Sequence, residues 1–266
     1  MITVLPCQTA AEAASQLTER SRLLGGGTIL MRQVNYGDQS FDRILRVLDP
    51  ALRQIRSQGR EISLGSAVTM SEILERSDLE FLHPVANKIG GPAIRNMATV
   101  GGNLFAEHPY GDLATAFLAL DAQVTWSDGH SESLETLLKE RANRQGVVAS
   151  VSVPRPGSGE FRYLKVSRTK PKGVSMMCLA AWLRRDAGRL GDVRVTYGAM
   201  GPAPFRVAAV ESALRGATLD AAGIAPALAR AAEGFTPPED ALASSWYRTE
   251  VLPVHLSRLL LERGAY

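Results

Sequence analysis

Leu24-Gly25-Gly26-Gly27-Thr28-Ile29-Leu30 and Thr99-Val100-Gly101-Gly102-Asn103, the second followed by Asp112, are the stretches on which the fold turns. Each Gly-Gly run follows an apolar segment and ends in a small polar residue, Thr28 in one and Asn103 in the other. Consecutive glycines weaken any regular element, so they mark backbone geometry that a side chain would block. Backbone N–H groups exposed in such loops form a nest for phosphate oxygens, and two loops of this kind suggest one anionic ligand held from two sides. Taken singly, Gly-Gly-Gly reads first as a plain tight turn and Asp112 as a helix N-cap; the position of Asp112 nine residues beyond Asn103 shifts that reading toward the ligand. Neither loop ends in Gly-Lys-Ser/Thr, which argues against a P-loop nucleotide hydrolase, and neither has the Gly-x-Gly-x-x-Gly of a dinucleotide-binding Rossmann turn. A pyrophosphate gripped outside a Rossmann fold is the remaining reading.

Working outward, residues 2–5 read as a strand broken by Pro6, and Thr9 caps a helix that runs on to Arg20. Leu23-Leu24, residues 42–47 and residues 61–65 are strand candidates, with a polar turn at Ser57-Gln58-Gly59. Thr69 or Ser71 caps a helix over 70–74, and residues 81–97 suit a helix interrupted at Gly90-Gly91-Pro92. Asp112 opens an Ala/Leu-rich helix, Trp126 to His130 resembles a hairpin, and residues 146–153 form a strand stopped by Pro154 and Pro156. Residues 154–159 are the best domain boundary. Beyond it come three antiparallel strands at 160–168, 174–183 and 192–200, with turns at Ala187-Gly188-Arg189 and around Lys170 to Gly173, then helices at 208–214, 224–233 and 251–262.

Composition narrows the function. The 266 residues are 45% hydrophobic and 21% charged, as in a folded globular chain. Thirty Lys+Arg against 27 Asp+Glu, 6% aromatics and no basic run argue against nucleic acid as the partner. Arg168-Thr169-Lys170-Pro171-Lys172 reads as a solvated loop, with an anion site as the minor alternative. Cys7 and Cys178 lie far apart, which argues against a disulfide framework, a zinc site or an iron–sulfur cluster in this chain. His83, His108, His130 and His255 show no metal-ligand spacing, although His108 and Tyr110 flank the second loop. No secretory signal and no membrane-length apolar run is evident, so a cytoplasmic protein with no membrane contact is expected.

The two loops, with Ile94-Arg95-Asn96-Met97-Ala98 leading into the second and Pro109 and Gly111-Asp112 after it, resemble the FAD-binding medium subunit of the molybdenum hydroxylases. That family includes xanthine dehydrogenases, aldehyde oxidoreductases and bacterial carbon monoxide dehydrogenases. Residues 161–168, and Trp246-Tyr247-Arg248 with the helix after them, are similar to the family's C-terminal domain, so the resemblance covers nearly the whole chain. It implies an α+β fold: a PCMH-type FAD-binding region at 1–156 with two subdomains split near residue 55, then a C-terminal domain at 160–266 with a three-stranded antiparallel sheet and a helical bundle.

By the same resemblance, Leu24, Gly25, Gly26, Gly27, Thr28, Ile29 and Leu30, with Thr99, Val100, Gly101, Gly102 and Asn103, would wrap the FAD pyrophosphate through backbone amides, with Thr28, Thr99 and Asn103 adding side-chain bonds, and Asp112 would anchor the adenosine side. Ile89, Val148 and Lys165 match positions near the flavin or its chain. Ile29 stands where relatives often carry a polar residue, and Gly27 where covalent flavin oxidases attach FAD, so the FAD is expected to be non-covalent. No residue is assigned a catalytic or metal-binding role. The resemblance implies an oxidoreductase heterotrimer in which a large molybdopterin subunit oxidises substrate, a small iron–sulfur subunit carries the electrons, and this subunit passes them to NAD or another acceptor. The rival readings are a self-contained flavin oxidoreductase and a non-catalytic scaffold that has lost the flavin.

Overall fold

A computed structural model describes residues 2–169 and 173–262, so Lys170, Pro171 and Lys172 of the basic cluster lie outside the described residues. The chain forms two compact units, one of Met1–Ala106 with Asp121–Arg155 and the other of Glu107–Leu120 with Pro156–Tyr266.

In the first unit, β1 (Thr3–Cys7), β2 (Ser21–Leu23) and β3 (Arg43–Val47) form a parallel sheet in the order β1-β3-β2. β1 continues through Pro6 to Cys7 because it is an edge strand, where a missing N–H is tolerated. The Thr9 hydroxyl accepts from Glu12 N at 3.1 Å and starts the helix Ala10–Ser15. That helix stops well short of Arg20, because Ser21 N and Oγ both donate to Thr18 O, at 3.1 and 2.9 Å, and close a turn.

A second sheet of the same unit holds β4 (Ile55–Gln58), β5 (Glu61–Gly65), β6 (Gln123–Trp126), β7 (Ser131–Ser133) and β8 (Val148–Pro154), antiparallel in the order β4-β5-β8-β6-β7. Ser57 and Gln58, read as a turn, belong to β4, an exposed edge whose polar composition hides its strand character. Thr69 is the cap of the helix Met70–Leu74, in a capping box with Glu72, while Ser71 lies within it. Residues 77–97 make short pieces, a 3₁₀ segment Ser77–Leu82 and the helices His83–Ala86 and Pro92–Arg95. Ile62, Leu64, Ile73, Leu82, Val100, Leu104, Val124 and Val151 are fully buried.

In the second unit, β9 (Phe161–Val166), β10 (Met177–Asp186) and β11 (Arg189–Gly198) are the three expected strands, and the two-residue β12 (Phe205–Arg206) extends the antiparallel order to β12-β11-β10-β9. One face of this sheet, with Leu179, Ala181, Val193, Val195 and Tyr197, packs in one core with Val210, Leu214, Ile224, Leu252, Leu256 and Leu260 of the C-terminal helices. The last helix is Ser245–Leu261, beginning ahead of Val251 because the Ser244 hydroxyl accepts from Tyr247 N at 3.1 Å. The helix Asp112–Ala119, buried along its whole length, packs on β10 and β11 from the face that carries Cys178. No helix among the described residues is long and apolar enough to cross a membrane.

Candidate functional site

The first glycine stretch begins where β2 ends. Leu24 N donates to Leu45 O at 2.8 Å, and Met31 N donates to Gly27 O at 2.9 Å as the helix Leu30–Asn35 gets under way. Between them, none of the backbone N–H groups from Gly25 to Leu30 finds an acceptor among the described residues. Gly25 is exposed and Gly26 to Leu30 are half-buried, so water reaches the run. Ile29 caps the helix without a side-chain bond, and Gly27 has φ +71°. A curved run of accessible, unpaired N–H donors suits a polyanion.

The second stretch is a helix with its amides already spent. Thr99 caps Val100–Leu104, and its hydroxyl accepts from Gly102 N at 3.1 Å. Val100 N donates to Val68 O and Gly101 N to Ser66 O, both at 2.8 Å, and Asn103 N donates to Thr99 O at 3.0 Å. In this structure these N–H groups are bonded within the protein, whereas those of the first stretch are not. What the second stretch supplies is a seat. A Cβ on Gly26 would stand 1.6 Å from Met97 O and 2.9 Å from Ala98 N, and one on Gly25 would stand 2.9 Å from the Thr99 hydroxyl. The two stretches therefore touch backbone to backbone, with the donors on the first and the support on the second. The half-buried Asn103 side chain and the exposed Gly102 lie at the surface of that support.

Asp112 and Lys165, predicted separately from resemblance, meet in the second unit. Lys165 Nζ donates to Asp112 Oδ2 at 2.7 Å, with the two side chains 7% and 8% exposed, and Ser175 Oγ donates to Asp112 Oδ1 at 2.5 Å. Asp112 is thus the first residue of its helix and a buried ion-pair partner; the cap position is held by Gly111. Ser175, 1% exposed, was missed, and no spacing in the sequence connects it to Asp112. The Cys178 thiol, beside Thr115 at 3.4 Å, is pushed well above its ordinary pKa by burial and then by the Asp112 carboxylate. Ile89 is half-buried in the turn before Gly90, whereas the Val148 side chain lies in the core opposite Trp126.

His108 Nε2 pairs with Asp240 Oδ2 at 2.8 Å, and Asp240 also accepts two bonds from Nη2 of the fully buried Arg248, at 2.8 and 2.9 Å. Burial pushes the Asp240 carboxyl up, but the bonds from His108, the Leu242 and Ala243 amides and the Arg248 charge outweigh it and hold the pKa below the usual range. Among the described residues no group of His, Cys, Asp and Glu could hold a metal ion. The donor run on its glycine seat fits the diphosphate of FAD, since it offers N–H groups with no competing acceptor and lets a ligand approach the main chain.

Comparison with known proteins identifies an FAD-binding family. Residues 2–156 match the family model described as the FAD binding domain in molybdopterin dehydrogenase, and residues 162–263 match the CO dehydrogenase flavoprotein C-terminal domain. The chain is 25% identical to the glyceraldehyde dehydrogenase medium chain of Sulfolobus acidocaldarius, over 89% of this chain and 88% of that one. It is 26% identical to the xanthine dehydrogenase FAD-binding subunit of Escherichia coli O157:H7, over 96% and 91%. Its fold superposes on a chain of carbon monoxide dehydrogenase from Hydrogenophaga pseudoflava with a TM-score of 0.87 at 21% identity, covering 97% and 96%.

Proposed function

The chain belongs to the family of FAD-binding domains of the molybdopterin dehydrogenases, and from that premise we propose that it is the electron outlet of a heterotrimeric molybdenum hydroxylase. In this reading a large molybdopterin subunit oxidises the substrate, a small iron–sulfur subunit relays the electrons, and this medium subunit hands them to NAD or another acceptor. The observation that carries it is the row of unpaired N–H groups from Gly25 to Leu30 seated on Met97 to Gly102. FAD, when bound, supplies the one- and two-electron redox chemistry. The chain's own residues bind and orient.

The Gly25 to Leu30 amides would hold the diphosphate by charge-assisted bonds, stronger than neutral ones. Thr28, half-buried, adds a hydroxyl at the same turn, and Ile29 contributes its N–H whatever its side chain. Thr99 and Gly102 would keep the seat in place, with Asn103 at its surface. Asp112 and Lys165 enter as a buried ion pair, and Ile89 and Val148 by resemblance alone. Gly27 offers no side chain for covalent attachment, so the FAD is taken as non-covalent. Both cysteines are buried and free, which suits the reducing cytoplasm we propose for the complex.

The test is an absorption spectrum of the purified chain, followed by acid precipitation. Flavin bands that pass into the supernatant as FAD support the reading. A colourless chain that takes up no added FAD refutes it.

A further inference from the structure

We propose that Arg95 is a positioning residue for the phosphate-binding turn, acting through the Met97–Ala98 peptide on which Gly26 rests. The inference rests on the reading of Gly25 to Leu30 as that turn. The helix Pro92–Arg95 has only four residues, and none of them is buried. So short a helix does not hold itself, because nucleation costs more than one turn returns, and with no apolar anchor its place depends on polar tethers. Arg95 supplies one of them. Its Nη1 donates to Gly90 O at 2.8 Å and to Asn87 O at 3.1 Å, closing residues 87–95 into a loop. Ile94 packs on the same turn, occupying the space a Gly90 side chain would need, with Ile94 Cγ2 2.6 Å from that position. A second tether joins Ser71 Oγ to Asn96 Oδ1 at 2.5 Å.

The end of this helix sets the seat. Ile94 O accepts from both Met97 N, at 3.1 Å, and Ala98 N, at 2.7 Å, so the Met97–Ala98 peptide follows the helix wherever it goes. Ala98 O is in turn fixed by Met70 N at 3.0 Å. Gly26 lies against the free side of that peptide, closer than any Cβ allows. A shift of the Pro92–Arg95 turn therefore tilts the surface under the donor run, although Arg95 itself need touch no ligand.

The experiment titrates the full chain, stripped of flavin, with FAD and with ADP, which carries the diphosphate without the flavin. Arg95→Ala should weaken both ligands by the same factor, about tenfold, the size of one lost bond to a charged group. Arg95→Lys should restore most of it, and Ser71→Ala should act in the same direction. The melting temperature of the stripped Arg95→Ala chain should fall by no more than about 4 °C in a chain of this size, since no residue of the helix is buried. Unchanged affinity in Arg95→Ala overturns the inference alone, as does weakening of FAD without ADP, or weakening that lysine does not rescue and that tracks a lost melting temperature. If the unmodified chain binds neither ligand, the reading of the turn falls and this inference with it.

Discussion

Gly26→Ala tests the central geometry most directly. The added Cβ would stand 1.6 Å from Met97 O and 2.3 Å from Met97 C, both main-chain atoms that no rotamer change can remove. To reach ordinary van der Waals contact the two stretches must part by about 1.8 Å. Because Gly26 lies within the donor run, a displacement of that size there bends the run itself, and an N–H···O bond of about 2.9 Å stretched by even half of it is no longer a hydrogen bond. If two such bonds to the diphosphate are lost, at about 1.5–3 kcal/mol each for a charged acceptor, FAD binding weakens by about 3–6 kcal/mol, at least a hundredfold in Kd. Two neighbouring glycines calibrate the effect. Gly27→Ala meets Met31 and Leu24 side-chain atoms at 3.2 and 3.4 Å but must hold φ +71°, a strain of about 1–2 kcal/mol. Gly102→Ala meets only the Thr99 hydroxyl, at 3.1 Å, and should be the mildest. Fluorescence titration of the stripped variants with FAD gives the order. A Gly26→Ala chain that binds FAD within about threefold of the original would refute the seat.

Asp112→Asn leaves the Lys165 ammonium buried without its carboxylate partner, so urea unfolding should show a loss of about 3 kcal/mol, and a loss under about 1 kcal/mol would mean the pair is solvated in solution. His255 has its pKa lowered from 6.5 by burial and then by Arg258. The unfolded chain therefore binds this proton more readily, and stability present above about pH 6.5 declines as the pH falls through the lower folded value; His255→Gln should flatten that slope below about pH 6.5 in thermal melts, and an identical slope would assign it to other groups. Ile29→Ala should leave the FAD Kd within about threefold, because the group offered at that position is the main-chain N–H; a larger loss would give the Ile29 side chain a direct part.

Glycine made the close approach of the two stretches legible, because a Gly-Gly run announces it whatever the fold around it. Which run leaves its amides unpaired was not legible. The amides of Val100 and Gly101 end on Val68 and Ser66, and that pairing is set by how distant segments lie together, which composition does not encode. Resemblance named both Asp112 and Lys165, but their ion pair, and the share of Ser175 in it, follow from the Asp112–Ala119 helix packing on β10, the strand beside β9. In the fold, strands with buried alternation such as β5, β8 and β11 could be read directly. β4 could not, since an exposed edge strand has no apolar face to betray it. The Ser245–Leu261 helix was read short at its start for a related reason: its first turn is identified by the Ser244 cap, while Trp246, 70% exposed, interrupts the apolar stripe.

Recognition through main-chain N–H groups shifts the constraint on sequence from what a side chain must be to where a side chain is forbidden. Along Gly25 to Leu30 every residue offers the same donor, so Ile29 in place of a polar residue changes the lining of the turn and leaves the donor row intact. The requirement concentrates at Gly26, where support and donors meet through backbone atoms alone. The run is also half-open to water, so its N–H groups are solvated when no anion is present and the chain bears no heavy penalty for leaving them unpaired. A buried nest of the same shape would be costly to fold without its ligand. On the proposed reading, this one can be stable alone and still bind tightly, because a phosphate would displace water from donors that the Met97–Ala98 peptide already holds in place.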